Sequence, residues 1–553
     1  MNEKEFNLID EPWIRVMEND CEIKEVSLMD AIVNAHRYKT LGGEIPTQDI
    51  AVMRVILAVL HTVFSRYDEN GEQSELDEDE YEAESRWKAL WEKGCFPENA
   101  VREYLEEWHE RFWLFHPQRP FFQVAGMKNG TDYYSSKLNG EVSESDNKVR
   151  IFSAYSGKAK NELTYSQAAR WLLYLNAYDD TSSKPTKEGK AKAGGELPSV
   201  GTGWLGKLGV IFIVGNNLFE TLMLNLVAVN GSDIQVNQNP LWEHEEISSD
   251  ERTEIPFPDN LAELYTLQSR RISLIRKESA VVSYRLMGGD FFQEENAFFE
   301  PMTMWNNPKK IGGQYTPKMH DSSRQMWRDF SALYNDENNH CAGVINWYKQ
   351  YICEDKLIDD KYMLKTQIVS VEYGDKNSAV KNVFSDSIAM HSEILSELGE
   401  GWIDNIETEI KKCDDAAYAI SLFAGELYLA SGGDKKDKSK LEPNKKKGED
   451  EKYKKIQQNA KTKLYYNFDM PFRNWLYNID PGKDDKQDKI SEWHKSARQI
   501  AYRCMHEFAD NASETALTGK RFDNKLYSLP KAINIFRGMI NKIYKKEGDK
   551  NGK

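Results

Sequence analysis

His320 and Asp321 stand side by side, the residue pair with which an HD-type metal hydrolase holds a divalent cation and activates water. The chain has ten histidines, and they are scattered, so no companion ligands fall at helical spacing around that pair. Gly201-Thr202-Gly203-Trp204-Leu205-Gly206-Lys207 has the glycine and lysine spacing of a phosphate-binding P-loop, but Leu208 stands where that motif needs Ser or Thr. No GxSxG elbow and no HExxH helix occurs, and Gly288-Gly289-Asp290 has the composition of a turn. A chain of 553 residues without a catalytic constellation points to binding rather than catalysis. The stretch best suited to binding lies between Thr181 and Gly209. Lys184, Lys187, Lys190 and Lys192 alternate with Gly189, Gly194 and Gly195, and the dense glycines from Gly201 to Gly209 follow. Such a segment can track phosphates or approach a groove with its backbone, or it can be a plain surface excursion; patterning leaves both open.

The overall charge limits what that binding can be. Seventy-three basic minus 89 acidic residues gives −16, which excludes a general nucleic-acid coat and confines any such contact to local basic patches. A second local patch runs from Gly432 to Lys463, where twelve lysines less six acidic residues give +6; it reads as a solubilising loop or a DNA-backbone contact. Asp68 to Glu84 holds ten acidic residues and no Lys or Arg, and is expected to be a solvated face. Six cysteines without a CxxC pair indicate reduced thiols rather than disulfides or a zinc knuckle. With no uninterrupted apolar run of 18 residues, a cytoplasmic protein without a membrane span is expected.

The elements that would position these residues are legible in outline. Phe6 to Val16 and Cys21 to Val26 alternate as strands of a hairpin, and Ser27 caps a helix. A helix beginning at Pro46 is apolar on more than one face and must be deeply buried. Trp87 to Trp108 reads as a helix pair. Leu163-Thr164-Tyr165-Ser166-Gln167 opens like a capped helix that stops near Asp179-Asp180, Val210 to Val214 is a buried strand, and Phe219 to Leu226 is a helix. Leu264 to Ile275 alternates as a strand, with Val281 to Leu286 as its partner. Beyond Asp386 the pattern is helical: Ile388 to Leu429, Tyr453 to Tyr477, and stripes at Ile490-Trp493-Ala497-Ile500-Cys504-Phe508 and Ile533-Phe536-Ile540-Ile543. Four such stripes are most simply buried in a bundle. The expected fold class is therefore α+β: residues 1–375 form a large mixed globular domain and residues 376–553 a four-helix bundle.

Several of these segments, in this order, resemble one family. They are Leu8-Ile9-Asp10-Glu11-Pro12-Trp13-Ile14, Phe112 to Val124, Gln167 to Leu173, Gly201 to Gly206, Glu220 to Leu226, Phe298 to Trp305, and His320 to Ser323 with Trp327. Together they cover most of residues 5 to 335 and resemble the CasA family, the large subunit of the type I-E CRISPR surveillance complex, Cascade. The resemblance implies a non-catalytic protein without a cofactor, partnered by the other Cascade subunits and crRNA, double-stranded target DNA and a recruited helicase-nuclease. Its implied task is to recognise a protospacer-adjacent motif (PAM) and open the duplex beside it. The family does this with a glycine loop, a lysine finger and a glutamine wedge. By position, Gly194 and Gly195 are the first choice for the glycine loop and Gly201 and Gly203 the second. Lys277 and Arg285 are the finger candidates, with Arg270 or Arg271 on phosphate, and Asn377 and Ser378 occupy the wedge position. Phe152, Ser153 and Ala154 fall in the loop that faces the crRNA handle, without the family's usual small polar or histidine pattern, and asparagine at 377 departs from glutamine. The competing reading is a metal-dependent nuclease or hydrolase around His320 and Asp321.

Overall fold

The computed structural model describes residues 4–139, 160–181, 201–244, 258–290, 299–306, 315–335, 340–354, 356–358, 362–374, 377, 379–396, 399–433, 451–522 and 525–544. Contacts divide the chain into two compact units: Met1–Arg324 with Ser331–Asp359 and Lys365–Ser387, and Gln325–Phe330 with Asp360–Leu364 and Ile388–Lys553. The first unit mixes helices and strands and the second is dominated by helices, the α+β class expected.

In the first unit, strand β1 (Glu5–Asn7) pairs antiparallel with β5 (Trp113–Phe115), and β2 (Ile14–Met17) lies between β3 (Ile23–Val26) and β4 (Thr40–Leu41). The Leu8 to Ile14 segment folds on itself because Trp13 is fully buried and its indole N–H donates to the Leu8 carbonyl at 2.8 Å. Ser27 caps α1 (Leu28–Val33), its hydroxyl accepting from the Asp30 N–H. Helix α2 (Pro46–Arg66) is long and apolar enough to span a bilayer by length and composition, yet 94% of its most apolar window is buried inside the protein, so it is a core helix. Helices α3 (Glu80–Lys93) and α4 (Glu98–Glu107) follow.

Helix α5 (Tyr165–Tyr178) is the strut of the unit. Thr164 and Gln167 form a capping box at its start. Its buried Arg170 donates to the Trp13 carbonyl and to the carboxylates of Glu25 and Glu44, tying the helix to the opening strands. Strand β7 (Val210–Ile213) is wholly buried, and the Asn225 side chain of α6 (Leu218–Asn225) both accepts from the Ile213 N–H and donates to its carbonyl. A three-stranded sheet orders β8 (Arg270–Lys277), β9 (Ala280–Gly288) and β6 (Thr131–Tyr134). A second orders β11 (Val380–His391), β10 (Met363–Tyr373) and β7. Among the described strands β11 is the outer edge. There Asn382 Oδ1 accepts from the N–H of Val383 and Asp386 Oδ1 from that of Ser387.

Two sequence expectations are corrected. Leu264 does not begin a strand: Asn260 caps a short helix, Leu261–Tyr265, by accepting from the Glu263 N–H, and extended structure starts only at Arg270. Helical structure does not begin at Ile388 either, because β11 continues to His391.

The second unit carries the helical bundle of α7 (Glu400–Ala430), α8 (Glu451–Tyr477), α9 (Lys486–Asp510) and α10 (Leu529–Ile543). Trp493 is its centre, with ring contacts to Phe468, Phe472 and Trp475, while Trp327 stacks on Phe472 at 4.4 Å and donates to Asp469.

Candidate nucleic-acid interface

The C-terminal end of α5 is where the candidate elements meet. Arg270, the first residue of β8, is fully buried, and its guanidinium is spent on that end. Nε donates to Asp179 Oδ2 at 2.5 Å, Nη1 to the Ser269 carbonyl, and Nη2 to the carbonyls of Asp180 and Gly201, each at 2.9 Å. Arg271 is likewise buried against Asp290, with Nη2 to Oδ1 at 2.6 Å. Both arginines are therefore internal clamps and do not reach phosphate, which corrects the sequence expectation; a planar five-donor fork suits this carbonyl-gathering role.

The Gly201 to Gly209 segment starts at that clamp. Gly203 donates its N–H to the Asp179 carbonyl at 2.9 Å, and its α-carbon lies so close to the Asn176 and Ala177 backbone that a Cβ has no room. Trp204 then enters the core, where its indole donates to Glu300 at 2.8 Å; Arg54 holds the same carboxylate through two bonds of 2.8 and 2.9 Å and stacks over Tyr265. A Cβ on Gly206 would strike the Tyr373 hydroxyl.

Tyr373 ends β10, and the turn to β11 carries the wedge candidate. Gly374 donates to the Ala379 carbonyl and Asn377 to the Gly374 carbonyl, closing a tight tip in which Asn377 takes φ +54° with its side chain exposed. The tip is fastened to the end of α5 twice: Thr181 donates to the Asn377 carbonyl at 2.9 Å, and the Tyr373 hydroxyl donates to the Tyr178 carbonyl at 2.8 Å. Burial holds that hydroxyl well above the ordinary phenol range, so it remains a donor. The fold thus brings Gly201, Gly203 and Asn377 to one place.

It does not bring the finger candidates there. Lys277 lies at the opposite end of β8, about 23 Å from Arg270 at ~3.3 Å per residue. It stands exposed beside the N-terminal end of α5, where Tyr165 donates to the Glu278 carbonyl. Arg285 is mid-strand and engaged: Nε and Nη2 grip the two Asp132 oxygens at 2.7 and 2.9 Å, and Nη1 reaches the Met127 carbonyl. That grip holds the Asp132 carboxyl below its usual range. One cation that sequence reasoning missed is Lys381, exposed on β11 and lying across the tip against Gly374. Its only signal was position, as the first cation after the turn. Gly194, Gly195, Phe152, Ser153, Ala154 and Ser378 lie outside the described residues.

His320 and Asp321 are occupied structurally. His320 is buried with Nε2 donating to the Val210 carbonyl at 2.9 Å, and Asp321 accepts from the backbone N–H and hydroxyl of Ser323. Among the described residues no three His, Cys, Asp or Glu side chains converge where a metal ion could sit.

The family model described as CRISPR-associated protein Cse1 matches residues 7–504. A CRISPR-associated protein CasA/Cse1 from Thermus thermophilus is 27% identical over 445 residues, 78% of this chain and 80% of that protein. The crystal structure of Thermobifida fusca Cse1 superposes with a TM-score of 0.78 at 26% identity, covering 98% of each chain. A chain of a CRISPR RNA-guided surveillance complex shares the fold, with a TM-score of 0.70 at 15% identity over 98% of this chain and 100% of that one. The match embraces the opening strands, the α5 hub and most of the helical bundle, and the chain belongs to the CRISPR-associated protein Cse1 (CasA) family.

Proposed function

We propose that this chain is the non-catalytic large subunit of a type I-E Cascade complex, assembled with the other subunits and crRNA, and that it recognises a PAM in double-stranded DNA and helps to open the duplex for guide pairing. The observation that carries this reading is the family match across residues 7–504. The geometry of the α5 hub supports it, because a rigid core presents the exposed Asn377 beside the half-buried Gly201. Backbone without Cβ atoms can approach a groove closely, and an amide can bond the acceptors of the minor groove, whose degenerate pattern allows several motifs to be tolerated. Asn377 and Ser378 then occupy the space beside the first separated base pair, with Lys381 offering a phosphate contact at the same tip. Gly194 and Gly195 supply the groove-facing backbone in this reading, since Gly203 of the second-choice pair is buried against α5, and Phe152, Ser153 and Ala154 face the crRNA handle. Sequence is read by RNA pairing and the short motif by protein, as in other RNA-guided systems. In this reading the subunit also docks the helicase-nuclease once the strands are apart.

The test is reconstitution of Cascade with and without the chain. With it, binding to a PAM-bearing target should exceed binding to a PAM-less one; without it, guide RNA should be retained and the discrimination lost. Equal discrimination in both preparations would end this proposal.

A further inference from the structure

The far end of α5 carries cations of two kinds. Lys4 pairs with Glu110 and Arg276 with Glu5, so those charges are answered. Three others are not. Arg119 is exposed and, among the described residues, meets no carboxylate; Lys277 is exposed and likewise meets none; Arg111 meets only the His244 carbonyl, at 3.0 Å. The three share one neighbourhood. Arg276, next to Lys277, lies 4.8 Å over the Phe115 ring, and His116 follows Phe115 and shapes the turn that bears Arg119. There His116 Nδ1 accepts from the N–H of Gln118 at 3.1 Å and of Arg119 at 2.8 Å, which fixes the direction in which the arginine leaves the backbone. Arg111 is held below the ordinary guanidinium value by partial burial and then by the charge of Arg119, so the two are close enough to repel. In a chain with 16 more acidic than basic residues, carboxylates are plentiful, and leaving three neighbouring cations without one does nothing for stability. A surface of this kind awaits an anion with several charges at short spacing.

Resting on the function proposed above, we propose that Arg111, Arg119 and Lys277 form a phosphate-tracking surface for the double-stranded DNA that flanks the opened target. Duplex DNA carries one negative charge per ~1.7 Å of axis, which matches clustered guanidinium and ammonium groups. Helix α5 and strand β8 separate this surface from the Asn377 tip by about 20 Å, or about six base pairs at ~3.4 Å each. The turn geometry makes His116 the positioning residue for Arg119.

The experiment uses reconstituted Cascade containing Arg119→Gln, or Arg111→Gln with Arg119→Gln, and targets whose PAM-side duplex ends at the motif itself or about 20 base pairs beyond it. On the long target at ~0.1 M salt the double variant should bind about tenfold more weakly than wild type, and the slope of log K against log salt should fall by about 2. On the short target the variant and wild type should bind alike. Arg119→Lys should restore most of the single-site loss, since a phosphate contact needs charge more than a fork. Among the described residues Arg119 makes no side-chain bond, so Arg119→Gln tests the surface even if Arg111→Gln lowers stability. Equal loss on both target lengths, no loss on either, or loss of guide RNA instead of DNA would each overturn the surface. PAM discrimination should persist in the variants; if wild-type Cascade itself shows none, the functional reading has failed rather than this one.

Discussion

Asn377 joins two roles that a single substitution can separate. Its backbone sits at φ +54°, a conformation that costs an ordinary residue about 1–2 kcal/mol and that asparagine and glycine tolerate, and its carbonyl receives the Thr181 N–H. Asn377→Gly therefore keeps the turn and removes only the amide. Thermal stability should remain within about 0.5 kcal/mol of wild type, while R-loop formation on linear DNA slows and a pre-melted bubble beside the PAM restores it, because the bubble removes an unstacking cost of about a few kcal/mol. Stopped-flow kinetics on paired and bubbled targets check this; equal rates for variant and wild type on paired DNA would leave the side chain without a role. His61 on α2 gives an independent test. Burial lowers its imidazole to about 3 from 6.5. A depressed folded value means that its contribution is fully present above about 6.5 and is lost as pH falls toward 3, with a slope of up to about 1.4 kcal/mol per pH unit. Replacing it by Phe beside Tyr265 should flatten the acid limb of urea-unfolding stability by about one proton, whatever the change at pH 7.

At the scale of elements, the buried pair of Arg270 and Asp179 fastens α5, the start of β8 and Gly201 together. Arg270→Lys keeps one charged bond and drops the fork onto the Asp180 and Gly201 carbonyls, and each lost bond of that kind is worth about 1.5–3 kcal/mol. Calorimetry should show a clear fall in Tm, and R-loop formation should slow, since the feet of both candidate loops lose their common anchor. An unchanged Tm would contradict the clamp. The helices were largely readable because their signals are local: Ser27 as a cap, the capped opening at Leu163 to Gln167, Pro46 at an N-terminus, and the α2 pattern, apolar on more than one face, that predicted deep burial. Arg270 and Arg271 were misread because a strand's alternation says nothing about which cation meets a buried carboxylate 91 or 19 residues away in sequence. The α9 stripe holds at Trp493, Ala497 and Cys504, which are buried, while Ala501 and Met505 are buried with them and Ile490, Ile500 and Phe508 are only half-buried.

For the molecule as a whole, a net charge of −16 means that any DNA affinity of the free chain must be local and steeply salt-dependent, so the free chain should bind duplex DNA far more weakly than the assembled complex at ~0.15 M salt. The class of the protein was visible from the order of its segments, while the separation of Lys277 from Asn377 was not, because only the folded length of α5 sets it. One further property follows from the outer edge at β11. A twelve-residue strand at a sheet edge is a template on which a second copy could add a strand. Within the strand, the side chains of Asn382 and Asp386 accept the backbone N–H of the residue that follows each, Val383 and Ser387. Asn382→Ala with Asp386→Ala should therefore raise concentration-dependent light scattering of the free chain without lowering its unfolding free energy by more than about 1 kcal/mol. Side chains that take up backbone donors from within the strand in this way make the edge a poorer template for a second copy.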